Sequence, residues 1–384
     1  MVEWKKLGDI CEKTSNIKWK DQADDKIYKY IDLSSVSLDS HKVIVTTDVC
    51  KQNAPSRAQQ IVCANDILLG TTRPTLKRYC QIPSYLDKNI CSTGFCIFRA
   101  NKEYVLSRWL FHNIGSSRFW DYCELKQQGA GYPCLSNSDA FAYMIPIPSI
   151  EEQNRIVGIL DTFTASIDNL KEQIAQRRKQ YEFYRDQLLD LEGKEGVEMK
   201  TIKEVCKKIC SGGTPSTSKK DYYGGNIPWL RTQEVDWKDI WDTDIKITED
   251  AIANSSAKLI PKDCVIVAMY GATAAKVAIN KIPLSTNQAC CNLEINNNIS
   301  SYRYVYYWLC KEYQNLKGMG EGSQNNINGQ KIKDYSIPLP SLQEQQRIVS
   351  ILDTFEASIQ NLEAQLSQRE KQYDYYRNKL LTFE

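Results

Sequence analysis

The feature that most constrains the fold is a long segment that occurs twice. Residues 145–189 and 337–381 align at a fixed offset of 192, and 29 of the 45 aligned positions are identical. Most of the other exchanges are mild, such as Ile for Leu or Phe for Tyr. A repeat of this length predicts two copies of one structural unit.

Apolar residues in each copy recur in alternating steps of four and three. This is the heptad period of a coiled coil, sustained for about five heptads. It predicts two helices of roughly 40 residues, each about 60 Å long. The predicted seam residues are Ile156, Leu160, Phe163, Ile167, Leu170, Ile174, Arg177, Tyr181, Tyr184 and Leu188, and their repeats Ile348, Leu352, Phe355, Ile359, Leu362, Leu366, Arg369, Tyr373, Tyr376 and Leu380.

Each copy opens with the sequence Pro-x-Pro-Ser, at residues 146–149 and 338–341. Proline is tolerated in a first helical turn, whose amides have no intrahelical acceptor. The serine followed three residues later by glutamate fits a capping box. We therefore expect the helices to begin at these prolines.

The repeat extends upstream of the globular parts. Residues 2–11 (VEWKKLGDIC) match residues 197–206 (VEMKTIKEVC) at an offset of 195. The predicted order is a globular domain (1–144), a helix (145–192), a second domain (193–336) and a second helix (337–384). Short β-rich runs and aromatic helical stretches predict a mixed α/β content for both domains, within an α+β chain.

The two helices are expected to pair antiparallel. A parallel pair would force the ends of the second domain to bridge about 60 Å. Antiparallel pairing instead creates a pseudo-twofold axis within one chain, with the two domains at opposite tips of a coiled-coil rod. Arg177 and Arg369, at matching seam positions, would either pair with an acidic neighbour or extend their heads to solvent.

Charge is distributed unevenly along the chain. Residues 1–144 carry 19 basic and 15 acidic side chains, a net of +4, and residues 193–336 carry 19 and 16, a net of +3. Residues 145–192 and 337–384 have nets of −3 and −2. The globular domains are thus the parts suited to face a polyanion.

Several functional classes are disfavoured by the sequence. No stretch approaches 18 consecutive apolar residues, and no signal peptide is evident, so we expect a cytoplasmic protein without a membrane span. The 14 cysteines include no CxxC pair and the chain has only two histidines, which favours free thiols over a metal site. No phosphate-binding loop of the form GxxxxGK[ST] occurs, and residues 226–229 (NIPW) lack one proline of an amino-methyltransferase motif.

The twin segments IPxPSxxEQxRIVxILDxF, at residues 145–163 and 337–355, resemble the specificity subunit of type I restriction–modification systems. Residues 211–235 (SGGTPSTSKKDYYGGNIPWLRTQEV) are similar to the opening of that family's target recognition domains. The first domain departs from this pattern, with CEKTSNIKWKDQ at residues 11–22, and the resemblance implies that it belongs to a different recognition-domain subtype.

The resemblance implies a non-catalytic subunit that binds double-stranded DNA. It would read a bipartite, asymmetric target, since the two domains differ, and direct two methyltransferase (modification) subunits, with restriction subunits joining for cleavage. No cofactor is expected on this chain, and S-adenosylmethionine is expected on the methyltransferase partner.

Candidate DNA contacts are loop residues with basic, hydroxyl, amide or aromatic side chains. In the first domain they are Thr71, Thr72, Arg73, Lys77, Arg78, Lys126, Gln127, Gln128 and Tyr132. In the second domain they are Thr214, Ser216, Thr217, Ser218, Lys219, Lys220, Arg231, Tyr270, Lys276, Gln324, Asn325 and Asn326. The segment Thr71–Arg73 is expected to match Tyr270–Ala272.

The repeated acidic helices offer two equivalent surfaces to a partner that binds twice. The candidate residues are Glu152, Gln153 and Arg155 with their repeats Glu344, Gln345 and Arg347. Two alternatives stay open at this point. One is a coiled-coil adaptor that binds proteins and no DNA, and the other is an enzyme with an unrecognised active site.

Overall fold

The computed structural model describes residues 2–320 and 326–383, and the chain divides into two compact units. Unit 1 contains Met1–Gln173 and Leu362–Glu384, and unit 2 contains Ile174–Asn361. Each unit therefore holds one globular domain together with a stretch of both long helices. No helix within the described ranges is long and apolar enough to cross a membrane.

Unit 1 contains two four-stranded sheets and a two-stranded ribbon. Its strands are β1 (Glu3–Lys6), β2 (Cys11–Glu12), β3 (Tyr28–Ile31), β4 (Thr47–Val49), β5 (Ala58–Ile61), β6 (Ile67–Gly70), β7 (Tyr79–Gln81), β8 (Ile90–Ser92), β9 (Phe95–Ala100) and β10 (Met144–Ile147). The inner sheet of unit 1 has the order β2-β9-β6-β7, and the outer sheet has the order β4-β3-β8-β5. The ribbon pairs β1 with β10, antiparallel.

The helices of unit 1 follow its sheets. They are α1 (Leu7–Ile10), α2 (Ser107–Gly115), α3 (Ser117–Lys126), α4 (Asn137–Ala142) and the first part of the long helix α5 (Ile150–Leu188). Side chains of β6 alternate between two cores, as period-2 strand geometry requires. Ile67 and Leu69 pack with Trp109 and Ile156 on the helical side, whereas Leu68 packs with the outer sheet.

Unit 2 repeats this arrangement and adds one strand. Its strands are β11 (Glu198–Thr201), β12 (Cys206–Ser211), β13 (Tyr223–Leu230), β14 (Asp239–Ile240), β15 (Ile245–Ile247), β16 (Leu259–Ile260), β17 (Val265–Ala268), β18 (Val277–Asn280), β19 (Leu284–Thr286), β20 (Cys290–Ile295) and β21 (Ser336–Leu339). The inner sheet has the order β12-β20-β17-β18-β14, the outer sheet has the order β15-β13-β19-β16, and β11 pairs with β21. The predicted internal repeat and mixed α/β content are confirmed.

The helices of unit 2 correspond to those of unit 1, with one addition. They are α6 (Ile202–Val205), α7 (Glu249–Ala253), α8 (Tyr302–Lys311), α9 (Tyr313–Gly318), α10 (Gly329–Lys333) and the second long helix α11 (Leu342–Leu380). The addition is α7, which has no helical counterpart between β4 and β5. The aromatic stripe predicted on α8 is core, because Tyr304 and Tyr307 are fully buried. They pack with Val265 and Val267 of the inner sheet.

The two long helices confirm the heptad prediction, each having 39 residues. Their starts differ from the expectation, because Pro146 and Pro338 lie in the ribbon strands β10 and β21. Proline fits there as an edge residue that does not donate to the ladder. Only one side of the capping box forms: the Ser149 hydroxyl accepts a hydrogen bond from the Glu152 amide at 3.3 Å.

Within unit 1, α5 and α11 run in opposite directions. Phe163 stacks on Tyr376 with ring centroids 5.4 Å apart, and Lys171 pairs with Glu370 at 3.4 Å, so rising numbers on α5 meet falling numbers on α11. The seam arginine Arg369 lies over the Phe163 ring, 5.7 Å from its centroid. Neither expected alternative anticipated this contact between a cation and an aromatic ring.

Unit 2 shows the same pairing with the helices exchanged. Tyr184 of α5 stacks on Phe355 of α11 at 5.4 Å, and Arg177 lies 5.8 Å from the same ring. Each helix thus supplies a phenylalanine near its beginning and an arginine fourteen residues later.

A polar junction attaches the globular domain of unit 1 to both long helices. His112 of α2 contacts Asp161 of α5 at 2.8 Å and the Tyr373 hydroxyl of α11 at 3.0 Å. Arg108, one turn earlier on α2, forms a bidentate ion pair with the same carboxylate. Burial, together with the nearby Arg108 charge, lowers the pKa of His112 to about 4, although the hydrogen bond to Asp161 opposes the shift.

Unit 2 builds the corresponding junction from Arg303 and Tyr307 of α8. Both contact Asp353 of α11 at 2.5 Å, and Arg303 also reaches Glu356 at 2.8 Å. Burial raises the pKa of Glu356 despite the opposing charge of Arg303. These junctions fix each domain on its helices.

Candidate nucleic-acid interface

In unit 1 two predicted loops are held together by backbone pairing. The connection after β6 contacts the loop after α3, where Arg73 N–H donates to Pro133 C=O at 2.7 Å. The backbone of Cys134 forms isolated antiparallel β-bridges with Thr72 and with Gln128. This pairing brings several predicted DNA contacts into one surface, which we call the unit 1 loop platform (residues 72–77 and 126–134).

Exposed cationic and aromatic groups lie on this platform. The Arg73 guanidinium lies 4.7 Å from the centre of the Tyr132 ring, whose residue is 71% exposed. Arg73 and Lys77 both adopt left-handed backbone conformations, with φ of 50° and 53°. Non-glycine residues seldom hold such angles, and they cluster at ligand-binding sites when they do.

Two residues of unit 1 that were predicted to contact DNA instead form hydrogen bonds inside their own domain. Thr71 is 9% exposed, and its hydroxyl donates to Gly94 C=O at 2.9 Å. The Arg78 guanidinium donates to Leu33 C=O and to Val36 C=O, the latter at 2.6 Å. The prediction of DNA contact is wrong for Thr71 and unsupported for Arg78, because their polar groups hold the domain together.

The predicted alignment between the domains is wrong by one residue. Thr71 N–H donates to Gly94 C=O, and the equivalent bond in unit 2 runs from Met269 N–H to Ala289 C=O. Thr71 also accepts from Leu135 N–H, as Met269 accepts from Ile327 N–H. Thr72 therefore corresponds to Tyr270.

Unit 2 presents Tyr270 and Asn326 together. Tyr270 is 42% exposed at the end of β17, and the following Gly271 N–H donates to the Asn326 side chain at 3.4 Å. Gly271 has φ of +77°, a conformation that glycine adopts without strain. Gln324 and Asn325, which were also predicted as contacts, lie outside the described residues.

The serine-rich loop of unit 2 is anchored at its glycines. Gly213 N–H donates to Thr286 C=O at 2.8 Å, and its carbonyl accepts from the Trp229 indole at 3.0 Å. Thr214 hydrogen-bonds to Gln288, a neighbour that sequence reasoning missed because it lies 74 residues away. Beyond this anchor the loop is exposed at Ser216, Thr217, Ser218, Lys219 and Lys220.

Lys219 and Lys276, two cations predicted to contact DNA, interact with neighbouring side chains of unit 2. Lys219 donates to the Tyr222 hydroxyl at 2.9 Å while its residue stays exposed. Lys276 pairs with Asp236 at 2.6 Å and lies 4.4 Å from the centre of the Trp237 ring. Lys276 thus stabilises the start of β18 through contacts within unit 2, and its geometry gives no support for DNA contact.

Arg231 is likewise engaged. It pairs with Glu234 at 3.8 Å and with Asp244 at 3.4 Å, and its Nε is buried. Arg231 is only partly exposed and is engaged in the turn after β13, so its geometry gives no support for DNA contact.

Of the residues predicted for a partner surface, the four charged ones are exposed or half-exposed, whereas the two glutamines are buried. Gln153 is fully buried, with its amide nitrogen donating to Tyr104 C=O at 2.9 Å and its oxygen accepting from Leu106 N–H at 3.0 Å. Gln345 is also fully buried and accepts from Ser301 N–H at 3.0 Å. Each glutamine connects the first turns of a long helix to the globular domain of its unit by hydrogen bonds. Because both side chains are buried, they cannot contact a partner protein.

The neighbouring charged residues form two matching exposed ion pairs. Arg155 binds Glu152 in bidentate fashion at 2.6 and 2.7 Å, and Arg347 binds Glu344 at 2.6 and 2.8 Å. The hydrogen bonds from the arginines lower the pKa of both glutamates. The two helix beginnings therefore share this ion pair, although α5 carries an additional carboxylate, Glu151, where α11 has Gln343.

A domain of two stacked sheets, closed by a ribbon and attached to a long helix, occurs twice in this chain. The family described as "Type I restriction modification DNA specificity domain" matches residues 1–177 and 194–370, and the chain belongs to this family. The matches cover both units almost completely.

Curated relatives are named as specificity subunits of type I restriction enzymes. The chain is 36% identical over 266 residues to the type I restriction enzyme EcoR124I/EcoR124II specificity subunit of Escherichia coli, covering 65% of each chain. It is 33% identical over 196 residues to the MjaIX specificity subunit of Methanocaldococcus jannaschii, covering 49% of this chain and 44% of the relative. The matched regions thus span about half to two thirds of these relatives.

Solved structures share the fold. A chain from a study titled "Structural basis underlying complex assembly and conformational transition of the type I R-M system" matches with a TM-score of 0.65 at 24% identity, covering 99% of this chain and 96% of that one. The S subunit of a type I restriction–modification system from M. genitalium matches with a TM-score of 0.61 at 15% identity, covering 100% and 97%.

Proposed function

We propose that this chain is the DNA-binding specificity subunit of a type I restriction–modification complex and reads a bipartite, asymmetric target. The observation that carries the proposal is the duplicated family match, one copy in each unit, combined with different exposed loop chemistry. Unit 1 offers Arg73 and Tyr132, whereas unit 2 offers Tyr270 and Asn326. Two different readers in one chain favour two different half-sites.

The proposed DNA contacts are the exposed or half-exposed loop side chains that remain after the internal ones are set aside. Arginine and amide groups suit base edges, and lysine and hydroxyl groups suit phosphates. They are Thr72, Arg73, Lys77, Lys126, Gln127, Gln128 and Tyr132 in unit 1, and Thr214, Ser216, Thr217, Ser218, Lys219, Lys220, Tyr270 and Asn326 in unit 2.

Catalysis is proposed to reside on partner subunits, with S-adenosylmethionine bound by the methyltransferase. The repeated pairs Glu152–Arg155 and Glu344–Arg347 offer two equivalent docking surfaces for two methyltransferase subunits. Restriction subunits would join that complex for cleavage.

Two single substitutions of exposed arginines test DNA binding. Arg73→Ala removes a loop cation, and Arg155→Ala removes a helix cation of comparable exposure as the matched control. In an electrophoretic shift with the methylation target, Arg73→Ala should weaken binding about tenfold or more, consistent with about 1–3 kcal/mol for a specific contact. Binding should also weaken steeply with added salt. No DNA affinity at low salt in the wild-type protein would instead favour the protein-binding adaptor.

Exchange of the helix ion pairs tests partner docking. Glu152→Arg with Arg155→Glu, and the same exchange at Glu344 and Arg347, keeps each intrahelical pair but reverses the presented charges. Co-purification with the methyltransferase should fall while DNA affinity of the isolated chain stays unchanged. An intact complex after both exchanges would refute this docking surface.

A further inference from the structure

The inner sheet of unit 1 ends at β7, whereas the matching sheet of unit 2 continues by one strand. Strands β6 and β7 correspond to β17 and β18, with the same antiparallel register. In unit 2 the short strand β14 adds to β18 in parallel, pairing Asp239 with Ile279 and Ile240 with Asn280. Unit 1 has no fifth strand in its inner sheet within the described residues.

The outer edge of β7 presents backbone groups in the same register. Hydrogen bonds to β6 flank the strand, from Gly70 N–H to Arg78 C=O and from Ile82 N–H to Asp66 C=O. Because backbone groups alternate sides along a strand, those of Tyr79 and Gln81 point away from β6.

The matching residues of β18 use these groups to hold the fifth strand. The Val277 carbonyl accepts from Trp237 N–H at 2.8 Å, and Ile279 N–H donates to Lys238 C=O at 3.2 Å. An open strand edge of this kind is a template for pairing with another segment.

A cavity of about 890 Å³ lies beside this edge, entirely within unit 1. Its walls come from Tyr79 and Gln81, from the turn at residues 38–43, and from α2, α3, α5 and α11. Two buried nitrogens in its lining, His41 Nδ1 and Arg377 Nε, have no hydrogen-bond partner among the described residues. Arg377 is only 9% exposed. The cavity therefore has both the volume of a ligand site and unsatisfied polar groups.

The lining of the cavity is nearly neutral, and four of its five cations already pair with carboxylates, so its net charge does not by itself select an occupant. The lining contains five cations and four carboxylates, a net of +1. The cations are Lys42, Lys77, Arg108, Lys171 and Arg377, and the carboxylates are Asp39, Asp168, Glu370 and Asp374.

Unit 2 shows which side chains an occupant would carry. Arg303, the repeat of Arg108, pairs with Asp239 of the fifth strand at 3.3 Å, and the next residue, Ile240, is 3% exposed. In unit 1 the matching nitrogen of Arg108 donates to the neutral side chain of Gln81 at 3.0 Å. An acidic residue followed by a branched apolar residue would fit this edge.

We propose that the β7 edge and its cavity bind an extended acidic segment of a partner protein, which adds a parallel fifth strand to the inner sheet of unit 1. Main-chain hydrogen bonds to Tyr79 and Gln81 provide affinity, and a carboxylate directed to Arg108 provides selectivity. The site is separate from the proposed docking surface at Glu152–Arg155 and does not depend on DNA binding.

A peptide with the sequence Asp-Trp-Lys-Asp-Ile-Trp, copied from residues 236–241, is the probe. A fluorescein-labelled form is titrated with the full-length protein, and binding is followed by fluorescence anisotropy. We expect saturable binding to the wild-type chain, and at least fivefold weaker binding when the second Asp of the peptide is replaced by Asn. A scrambled peptide of the same composition is the control for non-specific association.

Two variants at one position separate the strand edge from the side chain. Gln81→Pro removes the outward N–H and leaves the ladder to β6 intact, because edge strands accept proline there. Gln81→Ala keeps that N–H and removes the same side-chain contacts. Gln81→Pro should bind at least tenfold more weakly than Gln81→Ala, with DNA affinity equal in both. Equal peptide binding by the two variants, or no saturable binding by the wild type up to about 1 mM, would overturn the proposal.

Discussion

Acidification should destabilise unit 1 through His112. This side chain is fully buried between α2 and both long helices, and its pKa is lowered to about 4 from an ordinary value of 6.5. The folded pKa lies below the unfolded one, so between these values the unfolded chain takes up the proton more readily. The contribution of His112 to stability is therefore complete above pH 6.5 and is lost as the pH falls toward 4.

The size of the effect follows from the shift. Each pKa unit corresponds to about 1.4 kcal/mol, so lowering the pH from 7 to 5 should cost roughly 2 kcal/mol through this residue alone. Arg108 and Arg377 disfavour the protonated ring, whereas Asp161 favours it. Asp161 itself has a lowered pKa, because hydrogen bonds from His112 and Arg108 outweigh the effect of burial.

The assay uses the fact that the chain contains only two histidines. In the His41→Gln variant the single remaining imidazole NMR signal reports His112 directly, and it should titrate well below pH 6. Chemical denaturation at pH 7 and pH 5 should show a smaller loss of stability in His112→Gln than in the wild type. A His112 signal that titrates near 6.5, or equal losses in both proteins, would refute the reasoning.

Three further substitutions test packing. Gly158→Ala, at an exposed helical position with no atom within 4 Å of the new methyl, should raise the free energy of unfolding by up to about 1 kcal/mol in denaturant titrations. Gly213→Ala should lower it by about 1–3 kcal/mol, because its methyl would collide with the Ser256 carbonyl; equal stability would contradict this close approach. Arg303→Met should lower the melting temperature of unit 2 because it leaves the partly buried Glu356 unpaired, a loss on the order of 2 kcal/mol. Adding Glu356→Gln should recover part of that loss, and failure to do so would contradict the assigned pairing.

The sequence predicted the helices well because their signal is local. Apolar steps of four and three identify the two 39-residue helices, since the period depends only on neighbours along the chain. Their antiparallel direction followed instead from the distance that the second domain would have to bridge. Their starts were misplaced, because the prolines that suit a first helical turn also suit an edge strand. Pro146 pairs with Trp4, a partner more than 140 residues away that no local pattern reveals.

The binding residues were harder to predict because burial depends on distant contacts. Gln153 and Gln345 lie between charged residues of an exposed-looking helical turn, yet both are fully buried against loops about 45 residues upstream. Residue type alone likewise could not separate Arg73, which is exposed, from Arg78, which binds the carbonyl of Val36.

The β1–β10 and β11–β21 ribbons have a consequence for how these domains can vary in length. Each ribbon joins the first and last strands of a globular domain, pairing Glu3 with Ile147 and Glu198 with Leu339. Every residue between the two strands of a ribbon therefore belongs to a closed loop whose ends are held by that ribbon. The entropy of closing such a loop grows only logarithmically, by about 0.6 kcal/mol for a doubling of length. Insertions between the two strands of a ribbon therefore cost little and leave the start of each long helix where it is.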